Sequence, residues 1–169
     1  LVRDTRIYVH CIWRLLTDAI LPLDYAAHAV YLKAELDVLH DLVGERFDLT
    51  GLFDRVALLE TRATELNVQV VGASGAKVID RINRCLVEVS RHIVPVDYTK
   101  GDRFEHDAAL PQAIYPALQP LRDLSRLEPD SAEAKFLDTG MKRACNRVSW
   151  ALREANNALA SCLADLEAT

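Results

Sequence analysis

The sequence predicts an all-α fold, an antiparallel up-and-down helical bundle with one long loop at about residues 95–111. Three observations carry this expectation. Apolar residues recur at three- and four-residue spacing almost throughout, which is the period of a helix with one buried face. Residues suited to capping stand at the heads of the periodic segments. The 169 residues hold only six Gly and six Pro, too few for the many tight turns of an all-β chain.

The first helix carries Ile7, Cys11 and Leu15 on one stripe, with Ile12, Leu16 and Ile20 beside it, and Pro22 stops it. Val9 and Trp13 add to these, so this helix is apolar nearly all round and needs cover on two sides. Asp24 is placed to cap the second helix, a contribution of about 1 kcal/mol. Its stripe is Ala29, Leu32, Leu36, Leu39 and Val43, and Gly44 stands where a positive φ is often needed. Thr50 is placed to cap a third helix with Phe53, Val56, Leu59, Ala63 and Leu66 inward. Gly72-Ala73-Ser74-Gly75 reads as a break between two segments of one long kinked path. The fourth helix follows with Val78, Ile82, Leu86, Val89 and Ile93. Pro95 to Pro111 has no period and forms the long loop, and such loops are usually functional or disordered. A short helix runs from about Gln112 to Leu124, made irregular by Pro116 and Pro120. Asp130 or Ser131 caps the final helix, which reaches Leu163. Its inward stripe is Phe136, Met141, Ala144, Val148, Leu152, Ala155, Leu159 and Leu163, with Trp150 off it.

Length predicts one domain, residues 1–169. Twenty Lys plus Arg against twenty-five Asp plus Glu give a net charge of −5, without the basic surplus of a nucleic-acid or anionic-membrane binder. The apolar runs are broken by charge well short of the roughly 18 residues of a membrane span. Cys11, Cys85, Cys145 and Cys162 have no CxxC spacing, which argues against a zinc ribbon or a thioredoxin-like site. They read as free buried thiols or as one or two disulfides.

Little self-contained chemistry is visible. Asp37 and His40 stand three apart on a helix and Glu88 and His92 four apart, an incomplete version of the paired Glu-x-x-His set of a di-metal bundle. Gly72 to Lys77 lacks both the glycine spacing and the hydroxyl residue of a phosphate loop. No Gly-x-Ser-x-Gly elbow occurs. The titratable cluster Arg103-Phe104-Glu105-His106-Asp107 lies on the long loop, either solvated or reaching toward a partner site. The residues by themselves describe a helical bundle with no catalytic, cofactor or metal residues of its own.

Four segments in order carry a family resemblance. Residues 7–36 read IYVHCIWRLLTDAILPLDYAAHAVYLKAEL, a helix, Leu-Pro-x-Asp, then a second helix with an Ala-Val-x-Leu run. Ile82-Asn83-Arg84, Leu86, Glu88 and Arg91 lead to Arg103-Phe104-Glu105-His106. Leu110-Pro111-Gln112-Ala113-Ile114-Tyr115-Pro116-Ala117-Leu118 is similar to a family stretch Phe-Pro-Gly-Ile-Tyr-Asp-Ala-Leu. Arg147 to Ala151 and Asn156 to Leu159 are similar to a closing helix with an Ala-Ala-x-x-Leu run. Together they resemble the transferrin receptor-like dimerisation domain, the C-terminal helical part of the glutamate carboxypeptidase and transferrin receptor family.

The resemblance implies a domain of a longer zinc peptidase-like protein, and Leu1, without Met and within a helical pattern, agrees with such a piece. It implies that zinc belongs to the parent's catalytic domain and that this chain holds none of the ligands. It implies a two-fold homodimer, contact with the parent's own catalytic domain, no membrane contact by this domain, and an ectodomain or lumenal place in a membrane-anchored protein. The loop bearing Arg103, Phe104 and His106 would face the parent's substrate. The Lys-Tyr pair that contacts a terminal glutamate in the glutamate-specific enzymes has no counterpart here, so the parent is a peptidase of either specificity or a non-catalytic receptor relative. The contrasting class is a free-standing bundle acting as an adaptor or metal-binding protein. The length of the natural gene product separates the two.

Overall fold

The computed structural model describes residues 1–101 and 113–168. Among them there is no strand, and the fold is an all-helical bundle. Six α-helices follow one another: α1 (Val2–Thr17), α2 (Tyr25–Val43), α3 (Thr50–Gly72), α4 (Ala76–Tyr98), α5 (Leu121–Leu124) and α6 (Ala132–Glu167).

Side-chain contacts fix the directions. Asn67 on α3 donates to Asp24 at the head of α2, while Phe53 meets His40 near its end, so these two helices are antiparallel. Arg55 and Arg62 of α3 reach Ser149 and Asn156 of α6 in the same order, so this pair is parallel. Arg81 reaches the Asp165 carbonyl and Cys85 the Ala158 carbonyl, so α4 and α6 are antiparallel. The chain therefore reverses at each step from α2 through α3 and α4 to α6. In space α6 packs between α3 and α4, with α2 on the other side of α3. The Gly72–Gly75 segment thus reverses the chain and carries α4 to the far side of α6, rather than bending one continuous path. Gly75 sits at φ +87°, ψ 137°, a conformation that only glycine adopts without strain.

The core is the set of stripes read from the periodicity. Leu32, Leu36 and Leu39 of α2, Val56, Leu59 and Leu66 of α3, Ile82, Val89 and Ile93 of α4, and Leu152, Ala155 and Leu159 of α6 are buried. Asp24 caps α2 by accepting from the Ala26 and Ala27 N–H groups, and Ser131 caps α6 by accepting from Ala134 N–H. Gly44 closes α2 at φ +55°.

Six local expectations are corrected. The first helix ends at Thr17, not at Pro22, and Asp18 closes it. Ile20, Leu21 and Leu23 leave the helical path because they pack partly buried on the core. Asn83 holds that segment, accepting from Leu21 N–H at 2.8 Å and donating to the Ala19 carbonyl at 2.9 Å. Thr50 is inside α3, and its N–H is capped by the Asp48 carboxylate at 2.8 Å. Leu52 takes the core place expected for Phe53. The long loop starts later than Pro95, because α4 runs through that proline to Tyr98. Burial of Val96 and the hydrogen bond that the Asp97 carboxylate accepts from His28 outweigh the backbone hydrogen bond that Pro95 removes. Gln112, where a short helix was expected to start, lies outside the described residues, and of residues 113–124 only Leu121–Leu124 is helical. At the head of α6, Phe136 is 81 % exposed, and Ala134 begins the buried stripe in its place.

Candidate interaction surface

Helix α1 buries none of its residues. Its wheel separates two chemistries. Tyr8, Val9, Ile12, Trp13, Leu15 and Leu16 lie on one broad face, and each is at least 46 % exposed. Arg3, Arg6, His10 and Arg14 lie on the opposite side. The helix is therefore amphipathic rather than apolar nearly all round: its apolar face is about half its circumference wide, and exposed Ile7 stands beside Arg3 and Arg14. Among the described residues, none supplies the cover that its apolar residues call for. Three arginines against Asp4 make α1 net +2, so the chain's net −5 leaves −7 on the remainder. Asn83 anchors the segment between α1 and α2 to α4, so α1 leaves the bundle from a fixed point.

A second feature is an open groove of about 510 Å³ beside α2 and the end of α4. His28, Tyr31 and Val38 of α2, Asp97 and Tyr98 of α4, and Ile114 and Tyr115 line it. His28 Nε2 and Asp97 Oδ1 are 2.7 Å apart, and His28 packs edge-on against Tyr115 with ring centroids 6.0 Å apart. The other ring nitrogen, Nδ1, is buried without a hydrogen-bond partner among the described residues. Beneath the groove, Glu35 accepts from Arg122 Nη2 at 2.6 Å and from Gln119 Nε2 at 3.0 Å. Tyr115 is buried at φ +48°, a left-handed conformation rare for a bulky residue. Burial, then the charges of Asp97 and Glu35, push its phenol up to about 12.

Arg103, Phe104 and His106 lie outside the described residues. The chain on either side of them converges on the groove, through Tyr98 before and Ile114 and Tyr115 after. The groove was not readable from the sequence, since it joins residues far apart along the chain. The two helical His pairs serve locally. His92 lies 3.5 Å from Glu88 and packs edge-on against Trp150. His40 packs on Phe53, and Asp37 pairs with Lys33 at 2.8 Å. Among the described residues no group of three His, Cys, Asp or Glu side chains could hold a metal ion. None of the described helices is long and apolar enough to cross a membrane. The four cysteines are free, Cys11 exposed on α1, Cys145 half-buried, and Cys85 and Cys162 buried. Comparison of the chain with protein-family models, with curated proteins and with solved structures finds no match.

Proposed function

We propose that this chain is an interaction module, the homodimerisation domain of a glutamate carboxypeptidase-like zinc metallopeptidase or of its non-catalytic receptor relative. In that role it holds two protomers together and supports the neighbouring catalytic domain, where the zinc chemistry resides. The chain itself carries no catalysis. The observation that carries the reading is α1, whose apolar face is wholly uncovered in one copy. A helix with so broad an apolar face is stable in water only when another surface covers it. A second copy fits: a two-fold contact uses the same face on both partners. The net −7 on the rest of the chain also attracts the net +2 of the partner's α1.

Light scattering on a sizing column tests it. The chain at micromolar concentration elutes as a dimer, and Ile12→Asp, which puts a charge in the centre of the apolar face, elutes as a monomer with unchanged helix content. A wild-type chain that stays monomeric at those concentrations overturns the self-association reading.

A further inference from the structure

We propose that Cys85 and Cys162 are a redox pair that closes to a disulfide, linking α4 to α6 inside the bundle. The two cysteines sit on neighbouring antiparallel helices and are 7 % and 5 % exposed. Cys85 Sγ lies 3.8 Å from the Ala158 carbonyl oxygen, and Cys162 is one turn beyond Ala158 on the same face of α6. The antiparallel register agrees: one turn before Cys85, Arg81 reaches the carbonyl of Asp165, just past Cys162. Both side chains therefore fill the same seam between α4 and α6. A disulfide forms without backbone movement only where the two sulfurs already approach across the gap. The remaining cysteines have no such neighbour: Cys11 is exposed on α1, and Cys145 is far along α6 from Cys162.

The pair is also unequal in the way exchange requires. The hydrogen bond from Cys85 holds the Cys162 thiol below its usual range, while the same bond and burial push Cys85 up. Local opening between α4 and α6 exposes the pair, and Cys162 is then the attacking thiolate. It attacks one sulfur of a low-molecular-weight disulfide such as oxidised glutathione, expels one glutathione thiolate and forms a mixed disulfide. Cys85 then loses its proton and attacks the Cys162 sulfur, expelling the second glutathione. Two cysteine S–H bonds are replaced by one S–S bond, and the small disulfide takes both electrons and both protons as two thiols. This device is independent of the self-association reading.

The test uses the whole chain with Cys11→Ser, which removes the exposed thiol and with it intermolecular cross-links. After native incubation with oxidised glutathione, intact mass falls by two hydrogens and carries no glutathione. Peptide mapping joins the Cys85 peptide to the Cys162 peptide, reductant reverses the link, and the melting temperature of the oxidised form rises. With Cys85→Ser in the same background, the cross-link is absent and Cys162 retains glutathione. Cys162→Ala, a small residue in a helix already rich in alanine, supplies the same loss of cross-link should the serine variant fold poorly. Two free thiols at Cys85 and Cys162 after the thiol exchange has reached equilibrium overturn the proposal, as does a link that engages Cys145 instead.

Discussion

Among the described residues Glu35 is the one acidic side chain in the core, 9 % exposed, and its partners come from the short helix α5 and the turn before it. A carboxylate taken out of water is tolerated only while charged donors face it. Arg122→Ala removes the cation and leaves Gln119, so it lowers stability by about 3 kcal/mol, read as a shifted urea midpoint. Replacing both partners by apolar residues, Glu35→Leu with Arg122→Met, recovers most of that loss, because no charge then remains to be solvated. Tyr115 gives the second residue-level expectation. Its phenol ionises near 12 in the fold against 10.0 in the open chain, because burial and the nearby carboxylates oppose the phenolate. As pH rises past 10 the unfolded chain ionises first, so stability is intact below pH 10 and is lost on the way to 12. Tyr25 and Cys145, also raised by burial, act in the same direction. Tyr115→Phe makes this alkaline loss shallower without abolishing it, as thermal melts across the range report. Phenolate absorbance of the wild type then shows two late-titrating tyrosines.

At the scale of elements, what could be read from the sequence was what local chemistry determines. The stripes of α2, α4 and most of α6 follow from the spacing of their Leu, Ile and Val residues, and Asp24, Gly44 and Ser131 mark helix ends by their own bonding. What stayed hidden depends on partners distant in sequence. The end of α1 at Thr17 is set by Asn83, sixty-odd residues away, which outweighs the helical spacing of Ile20. The continuation of α4 through Pro95 is set by His28 and by burial of Val96. The apolar excess of α1 was legible for the same local reason as the core stripes, although its polar side was not, whereas the groove joins α2, α4 and Tyr115 and has no signature in any one segment. Asn83 therefore makes a discriminating test. Asn83→Ala leaves the α4 core stripe intact but frees the Leu21 N–H and the Ala19 carbonyl, at a cost of about 1–2 kcal/mol. Amide exchange at residues 19–23 quickens in this variant, while exchange in the α2 core stays slow. Equal quickening throughout α2 would mean that Asn83 supports the whole bundle instead of the linker alone.

For the whole molecule, the decisive feature is that one helix of sixteen residues contributes nothing to the core. An isolated helix of that length is marginal in water, so α1 gains its order from whatever covers it. Removing residues 1–17 should therefore leave the bundle standing. The truncated chain keeps the full core, melts within a few degrees of the parent chain, and loses helical signal only in proportion to α1. It also loses self-association, since the apolar face has gone. Salt then distinguishes the two contributions to the contact. If the net +2 of α1 meets the acidic remainder of its partner, rising ionic strength screens that attraction and weakens the dimer. A contact made by apolar faces alone holds or tightens in the same series. The expected outcome is a dissociation constant that rises several-fold between low and physiological salt and then levels off, because the apolar contact persists once the charges are screened. Sedimentation equilibrium on the whole chain measures this, with the truncated chain as the monomer reference. A truncated chain that still dimerises would place the contact elsewhere on the bundle, most directly at the exposed Tyr31, Tyr98 and Ile114 around the groove.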